Sequence, residues 1–264
     1  MYGHSDRLKL EHRPNGVLVV TLDFPPTNPF EGDMHEGLVR TLEDINYDRD
    51  TKIVVITGAG EKAFSAGGDI SEMKRQLENP AEHIAALADA RRILNALLRL
   101  EKPLIARLNG HAIGLGATIA LFSDLCYAVE NIKIGDPHVS VGYAAGDGGA
   151  LIWPQLIGYM RAREYLFTGD PIRSQDAAAM GMINRAVPRE QLDEVVYGMA
   201  DRLAAGASVA INMTKQAVNL PLRRHFEGMI DASILMETIS AFSQDHAEAV
   251  DAFLTKRSPN FTGK

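Results

Sequence analysis

Twice in this chain a short apolar run breaks into a glycine turn and then into a helical pattern. The first is AFSAGGDI (63–70), which opens SEMKRQL; the second is NGHAIGLGA (109–117). A strand that turns through glycine into a helix leaves the helix's first backbone N–H groups unpartnered and pointing outward, the raw material of an anion site. Such turns are common wherever a strand meets a helix, so neither one alone assigns a function. Together they constrain the architecture: strands and helices alternate.

The rest of the chain keeps that alternation. Short runs rich in Val, Ile and Leu at 17–23, 52–57, 104–108, 125–129 and 183–187 predict strands. Helical spacing of apolar residues predicts helices over 35–45, 81–100, 148–157, 161–167 and 174–180, with Pro103 closing the long one. From Glu190 the pattern is helical almost to the end, with a break expected near 205–207 and Pro221 lying within the pattern. The expected organisation is an α/β core over 1–205 that carries the active site, followed by a helical oligomerisation region over 206–264. That region, with apolar stretches such as ILMETISAF and AVDAFL, cannot bury its faces alone; it is expected to pack on the core or on other subunits.

Composition narrows the class. The 264 residues are 46% hydrophobic and 23% charged, ordinary for a soluble globular chain. A net charge of -7 disfavours nucleic acid or an anionic membrane as partner. The single cysteine, Cys126 in SDLCYAV, excludes an internal disulfide, suits a reducing compartment and reads as a small buried hydrophobe. The N-terminal stretch lacks the apolar core of a signal peptide, and the most apolar window, 111–129, is interrupted by glycines and Asp124. A cytoplasmic protein without a membrane span is expected. GLGATI lacks the third glycine of a dinucleotide fingerprint, and TGAGEKAF is not followed by the lysine of a phosphate loop. There is no HExxH, GxSxG or Cys/His ligand pair, so no metal site and no serine hydrolase is expected.

The blocks AFSAGGDISEM (63–73), NGHAIGLGATIAL (109–121), TGDPIRSQDAAAMGMINRAVP (168–188) and AFLTKRSPNF (252–261) resemble, in this order, those of the crotonase (enoyl-CoA hydratase/isomerase) superfamily. The resemblance runs over nearly the whole chain. It implies a spiral of ββα turns with a C-terminal helical region, assembled as homotrimers or dimers of trimers. It also implies an oxyanion hole of two backbone N–H groups, which fall by position on Ala66 and Leu115, holding the enolate of an acyl-CoA thioester. Ala63 and Lys256 fall at positions that approach CoA, and no cofactor is implied beyond the CoA of the substrate itself. Asp69 reads as the cap of the following helix rather than a catalyst.

The chain departs from the family's two-glutamate hydratase pattern, with Thr118 at one of those positions and His138 at the other. Threonine is no base at neutral pH, so the ordinary hydration mechanism is in doubt. Instead DPHVSVGYAAGDGG (136–149) sets His138 nine residues before Asp147, as in a family member that cleaves a cyclic β-diketone, 6-oxocamphor hydrolase. A carboxylate beside an imidazole favours the imidazolium and fixes its tautomer, so His138 is expected to take a proton from water and return it to carbon. The bland alternative is a loop histidine and a helix-capping aspartate. His35 and Glu237 match pocket positions of the same relative, although both also read as solvated helix positions. Phe30, Tyr143 and Trp153 are candidate pocket aromatics or simple core.

The function expected is thus an acyl-CoA-transforming crotonase with His138 and Asp147 as acid and base, extending to hydrolytic C–C cleavage of a β-ketoacyl-CoA. An ordinary enoyl-CoA hydratase with variant residues, an isomerase and a catalytically idle binding protein of the same fold are the alternatives.

Overall fold

The computed structural model describes residues 2–264. Two strands, β1 (Leu8–Arg13) and β2 (Val17–Leu22), form an antiparallel hairpin. Onto β2 are laid, all parallel, β3 (Ile53–Gly58), β5 (Leu104–Leu108), β7 (Leu125–Val129) and β10 (Arg185–Val187), giving the order β1-β2-β3-β5-β7-β10. A second sheet of shorter strands runs β4 (Ala63–Ser65), β6 (His111–Ile113), β8 (Lys133–Gly135) and β9 (Ile172–Arg173). Three successive strands of the large sheet, β3, β5 and β7, are each followed directly by one of the small sheet. This is the expected spiral of ββα turns. All six residues of β3 are buried, as parallel strands covered on both faces require.

Helices fill the outside of the spiral: α1 (Met34–Tyr47), α2 (Ile70–Glu78), α3 (Pro80–Arg99), α4 (Leu115–Leu121), α5 (Gly149–Ile157), α6 (Tyr159–Thr168) and α7 (Ser174–Ala179). Three more, α8 (Leu192–Ala204), α9 (Ser208–Ala241) and α10 (Gln244–Leu254), end the chain. The predicted break at 205–207 is present, and the helical pattern continues through Pro221. Helix α9 runs straight through the proline because its packing on α3 and α5 outweighs one missing N–H bond. Polar anchors add to that packing: Lys215 Nζ donates to the Lys102 carbonyl at 2.8 Å and pairs with Asp124 at 2.7 Å, and Arg223 Nε donates to the Leu98 carbonyl at 2.8 Å. The chain turns instead at 242–243, where the Ser243 hydroxyl caps α10.

Where strands cross from one sheet to the other, two buried asparagines satisfy the backbone that leaves the ladder. Asn28 Nδ2 donates to the carbonyls of Ala59 and Ala63, each at 3.0 Å. Asn109 accepts from the Gly58 N–H at 3.0 Å and donates to the Gly60 carbonyl at 2.7 Å. These clamps bring the two glycine turns of the sequence into contact. Gly67, at φ +78°, lies so close to the second turn that a Cβ there would stand 2.6 Å from the Ile113 carbonyl and 3.1 Å from the Leu115 nitrogen.

Gly67→Ala therefore combines a left-handed backbone with an overlap against β6. It is expected to cost about 1–3 kcal/mol and to separate the two turns. Urea unfolding of the variant beside the wild type checks this; an unchanged midpoint would mean that the turns do not abut as described.

Candidate active site

Where the two turns meet, a cavity of about 630 Å³ opens between α1, α3, α4 and the C-terminal helices. Its floor holds the N-terminus of α4. The Leu115 N–H, the first of that helix, has no acceptor among the described residues, as the opening of a helix after a glycine turn dictates. The matching donor expected from Ala66 is already engaged, giving its N–H to the Thr27 carbonyl at 2.8 Å. The oxyanion hole expected from both amides thus has one free donor, and the other has to exchange Thr27 for a ligand before it serves.

His138 and Asp147 are brought together, as expected. The sequence reading missed a third member. His138, in a short 3-10 turn (His138–Val141), shares its Nδ1 with Asp136 in a short contact, while its Nε2 stands 3.4 Å from Asp147 Oδ2. Both aspartates are buried. Burial is the largest influence on the imidazole and pulls its pKa down. The attraction of Asp136 and Asp147, with their hydrogen bonds, outweighs it and holds His138 well above the ordinary histidine value. A pKa raised in this way favours the imidazolium, the form that donates a proton. The capping alternative for Asp147 falls, since α5 has Gly148 as its N-cap and no side-chain cap.

Glu237 is not on a solvated face. It is 3% exposed, projects from α9 into the cavity, and has one carboxylate oxygen without a partner. Burial and the nearby charge of Asp147 raise its pKa to about 8. The cause lies in the glycine loop of the sequence motif. A Cβ on Gly146 would come within 2.3 Å of the Ser233 carbonyl and 2.9 Å of Glu237 Oε2, so only glycine lets the loop lie flat on α9. Two serines of α9 fasten it there, Ser233 Oγ donating to the Gly146 carbonyl at 2.9 Å and Ser240 Oγ accepting from the Ala144 N–H at 2.8 Å. Helices α9 and α10 thereby supply part of the cavity wall, so the active site is not confined to residues 1–205.

The other candidates divide. His35, half-buried on α1, lines the cavity, and burial lowers its pKa. Phe30 lies against it with ring centres 5.5 Å apart. Tyr143 lines the cavity too, stacked on His246 of α10 at 4.0 Å. His83 of α3, another lining residue the sequence reading did not single out, has its Nδ1 3.5 Å from the Tyr143 hydroxyl. Trp153 and Thr118 are fully buried core and do not line the cavity; the Thr118 methyl faces the Gly148 backbone instead. Ala63 is buried in β4, its carbonyl taken by Asn28 and Asn109. Lys256 is exposed in the turn after α10, outside the lining, where Arg257 and Pro259 reach the rim instead. Neither of these two lines the cavity. Asp69 caps α2, accepting from the Ser71 N–H at 2.6 Å, as expected. Asp136, His138 and Asp147 each bring one metal-ligating type of atom within 4.8 Å of the others, but both imidazole nitrogens already face carboxylates, and the trio reads as a hydrogen-bonded acid–base cluster.

The enoyl-CoA hydratase/isomerase family model matches residues 12–264. The chain belongs to this family. It is 33% identical to the short-chain-enoyl-CoA hydratase of Clostridium acetobutylicum, over 91% of this chain and 92% of that one. Among solved structures, an enoyl-CoA hydratase/isomerase from Mycobacterium paratuberculosis superposes with a TM-score of 0.88 at 32% identity, covering 95% of this chain and 99% of that one. A β-diketone hydrolase from the cyanobacterium Anabaena, bound to (S)-3-oxocyclohexyl acetic acid, superposes with a TM-score of 0.82 at 29% identity, covering 90% and 94%. This protein is accordingly a crotonase-superfamily enzyme, and the family's members span hydration, isomerisation and hydrolysis.

Glu237 offers a test of the site's electrostatics. Its pKa is raised from 4.5 to about 8, so between those values the unfolded chain holds a carboxylate where the folded one holds a proton. Stability is therefore lost progressively as pH rises through that window. Glu237→Gln is expected to melt higher than the wild type, by a margin that widens from about pH 5 to pH 8; thermal unfolding across that range reads it.

Proposed function

We propose that this enzyme hydrolyses the carbon–carbon bond between the two carbonyls of a β-dicarbonyl substrate, either a β-ketoacyl-CoA or a cyclic β-diketone. The observation that carries this reading is the buried His138 between two carboxylates, with Glu237 beside it, at the place where a hydratase needs two glutamates. The likeness to a β-diketone hydrolase supports it.

The chemistry follows from the protonation states. Glu237, with a pKa of about 8, is poised to take a proton from water as that water attacks one carbonyl. The carbon–carbon bond breaks, and its electron pair moves into the second carbonyl as an enolate. The Leu115 N–H, joined by Ala66 once that amide leaves Thr27, holds the oxyanion; such donors are each worth about 3–4 kcal/mol. The His138 imidazolium then gives its proton to carbon and recovers one from Glu237. One fragment leaves as a carboxylic acid and the other as a ketone or thioester, with no metal or redox group needed.

Hydration of an enoyl-CoA is the second reading, favoured by the hydratase among the relatives. Mass-spectrometric assay of enoyl-CoA, cyclic β-ketoacyl-CoA and free cyclic β-diketone compounds separates the two. Rapid turnover of crotonyl-CoA with no cleavage of the dicarbonyls would sink the hydrolase reading.

Both His138→Ala and Asp147→Asn are expected to lower kcat by about 100-fold or more, with the double variant adding little because the pair acts as one unit. Near-wild-type turnover in either would remove that residue from the mechanism. In the wild type, kcat should climb as pH approaches about 8 and Glu237 ionises, and fall only where His138 loses its proton.

We also infer that the protein works in the cytoplasm as a homotrimer or a dimer of trimers. Helix α9 exposes Val209, Val218, Leu235, Met236 and Ile239, large apolar side chains that neighbouring subunits would cover. Sedimentation giving a stable 28.8 kDa monomer at micromolar concentration would contradict this.

A further inference from the structure

The carboxylate expected to orient His138 was Asp147, but the geometry points to the other one. We propose that Asp136 is the positioning residue of the site, holding His138 in place from behind, and that Asp147 is left on the cavity side. This rests on the acid–base reading of His138 above.

Three observations carry it. Asp136 meets His138 twice, Oδ1 facing the ring Nδ1 in a short contact and accepting from the His138 N–H at 3.4 Å, whereas Asp147 Oδ2 stands a loose 3.4 Å from Nε2. His138, Asp147 and Glu237 line the cavity, and Asp136 does not; its side chain is 1% exposed against 8% for Asp147. The Asp136 carboxylate is wedged in place by the start of α5, where a Cβ on Gly149 would lie 1.8 Å from Asp136 Oδ2. Glycine at a helix's first position normally weakens the helix relative to alanine. Here it makes room for an aspartate.

The arrangement is a relay with a division of labour. The back carboxylate fixes the ring and its Nδ1 proton, as a buried carboxylate does for a catalytic imidazole in general. The Nε2 proton then faces the cavity, where the unpaired Oδ1 of Asp147 and the unpaired Oε2 of Glu237 stand. A carboxylate that had to orient the ring would not be free to hold water or substrate. Sequence spacing hides this, because Asp136 is separated from His138 only by Pro137 and reads as a turn residue.

The titratable groups that face His138 come from several elements: Asp136 and Asp147 from its own loop, Glu237 from α9 and the Tyr143 hydroxyl, with His246 of α10 stacked behind Tyr143. Of the groups that face His138 directly, Asp136 alone does not line the cavity. Its removal therefore alters His138 without altering what the cavity presents.

The test is a pH titration of ¹⁵N-histidine-labelled enzyme by NMR, with the His138 signals assigned by their loss in His138→Gln. In the wild type both ring nitrogens should stay protonated through neutrality. Asp136→Asn should bring His138 back into the ordinary histidine range, and Asp147→Asn should shift it less. The kcat of Asp136→Asn should fall by about 100-fold while KM stays within about twofold, a split that a merely structural role would not produce. Gly149→Ala, which presses on Asp136 and lies outside the cavity lining, should reproduce both effects in milder form. An unchanged His138 titration in Asp136→Asn, or a larger shift in Asp147→Asn, would overturn the assignment. The titration needs no substrate, so it decides the role of Asp136 even if no dicarbonyl is cleaved, which would instead refute the hydrolase reading.

Discussion

Three carboxyl groups, Asp136, Asp147 and Glu237, are buried around one imidazole, and nearly everything else in the site follows from how their charge is compensated. A lone buried carboxylate is costly, and three together more so. The cluster resolves the conflict with two protons. His138 keeps one and becomes a cation shared by both aspartates; Glu237, left without a cation of its own, is pushed to a pKa of about 8. Environment alone thus raises the pKa of both groups.

That electrostatic balance depends on close packing without side chains. Gly146 lies against α9 beside Glu237, and Gly149 lies against Asp136. The C-terminal helices consequently supply part of the cavity wall. Lys215 ties α9 to the core through Asp124 and the Lys102 carbonyl. At the opposite wall, Asn28 and Asn109 align the two glycine turns so that the Leu115 N–H faces the same space.

Much of this was legible in the sequence, for local reasons. The strands at 104–108 and 125–129 were delimited to the residue, because short Val/Leu/Ile-rich runs between breakers admit few other conformations. His138 and Asp147 were found because polar groups stand out in a loop of glycine and alanine. The strands β4, β6, β8 and β9 were not foreseen, being two or three residues long and formed only by pairing with partners distant in sequence. Glu237 resembled a solvated helix residue because its burial is imposed by a loop some ninety residues earlier, a contact no helical period encodes. Asp136 was in view from the start, but nothing local distinguishes an aspartate before proline that makes a turn from one that holds an imidazole. Ala63 and Lys256, whose positions were carried over by resemblance, lie outside the cavity lining.

The most direct test of the central claim, that this cluster hydrolyses a carbon–carbon bond, is to follow atoms rather than rates. A cyclic β-dicarbonyl substrate turned over in oxygen-18 water should yield a ring-opened acid with one labelled oxygen in its new carboxyl group. In deuterium oxide the same product should carry one solvent deuterium on the carbon released as the enolate. An intact carbon skeleton, with label entering only as a hydroxyl group on an enoyl substrate, would contradict the account.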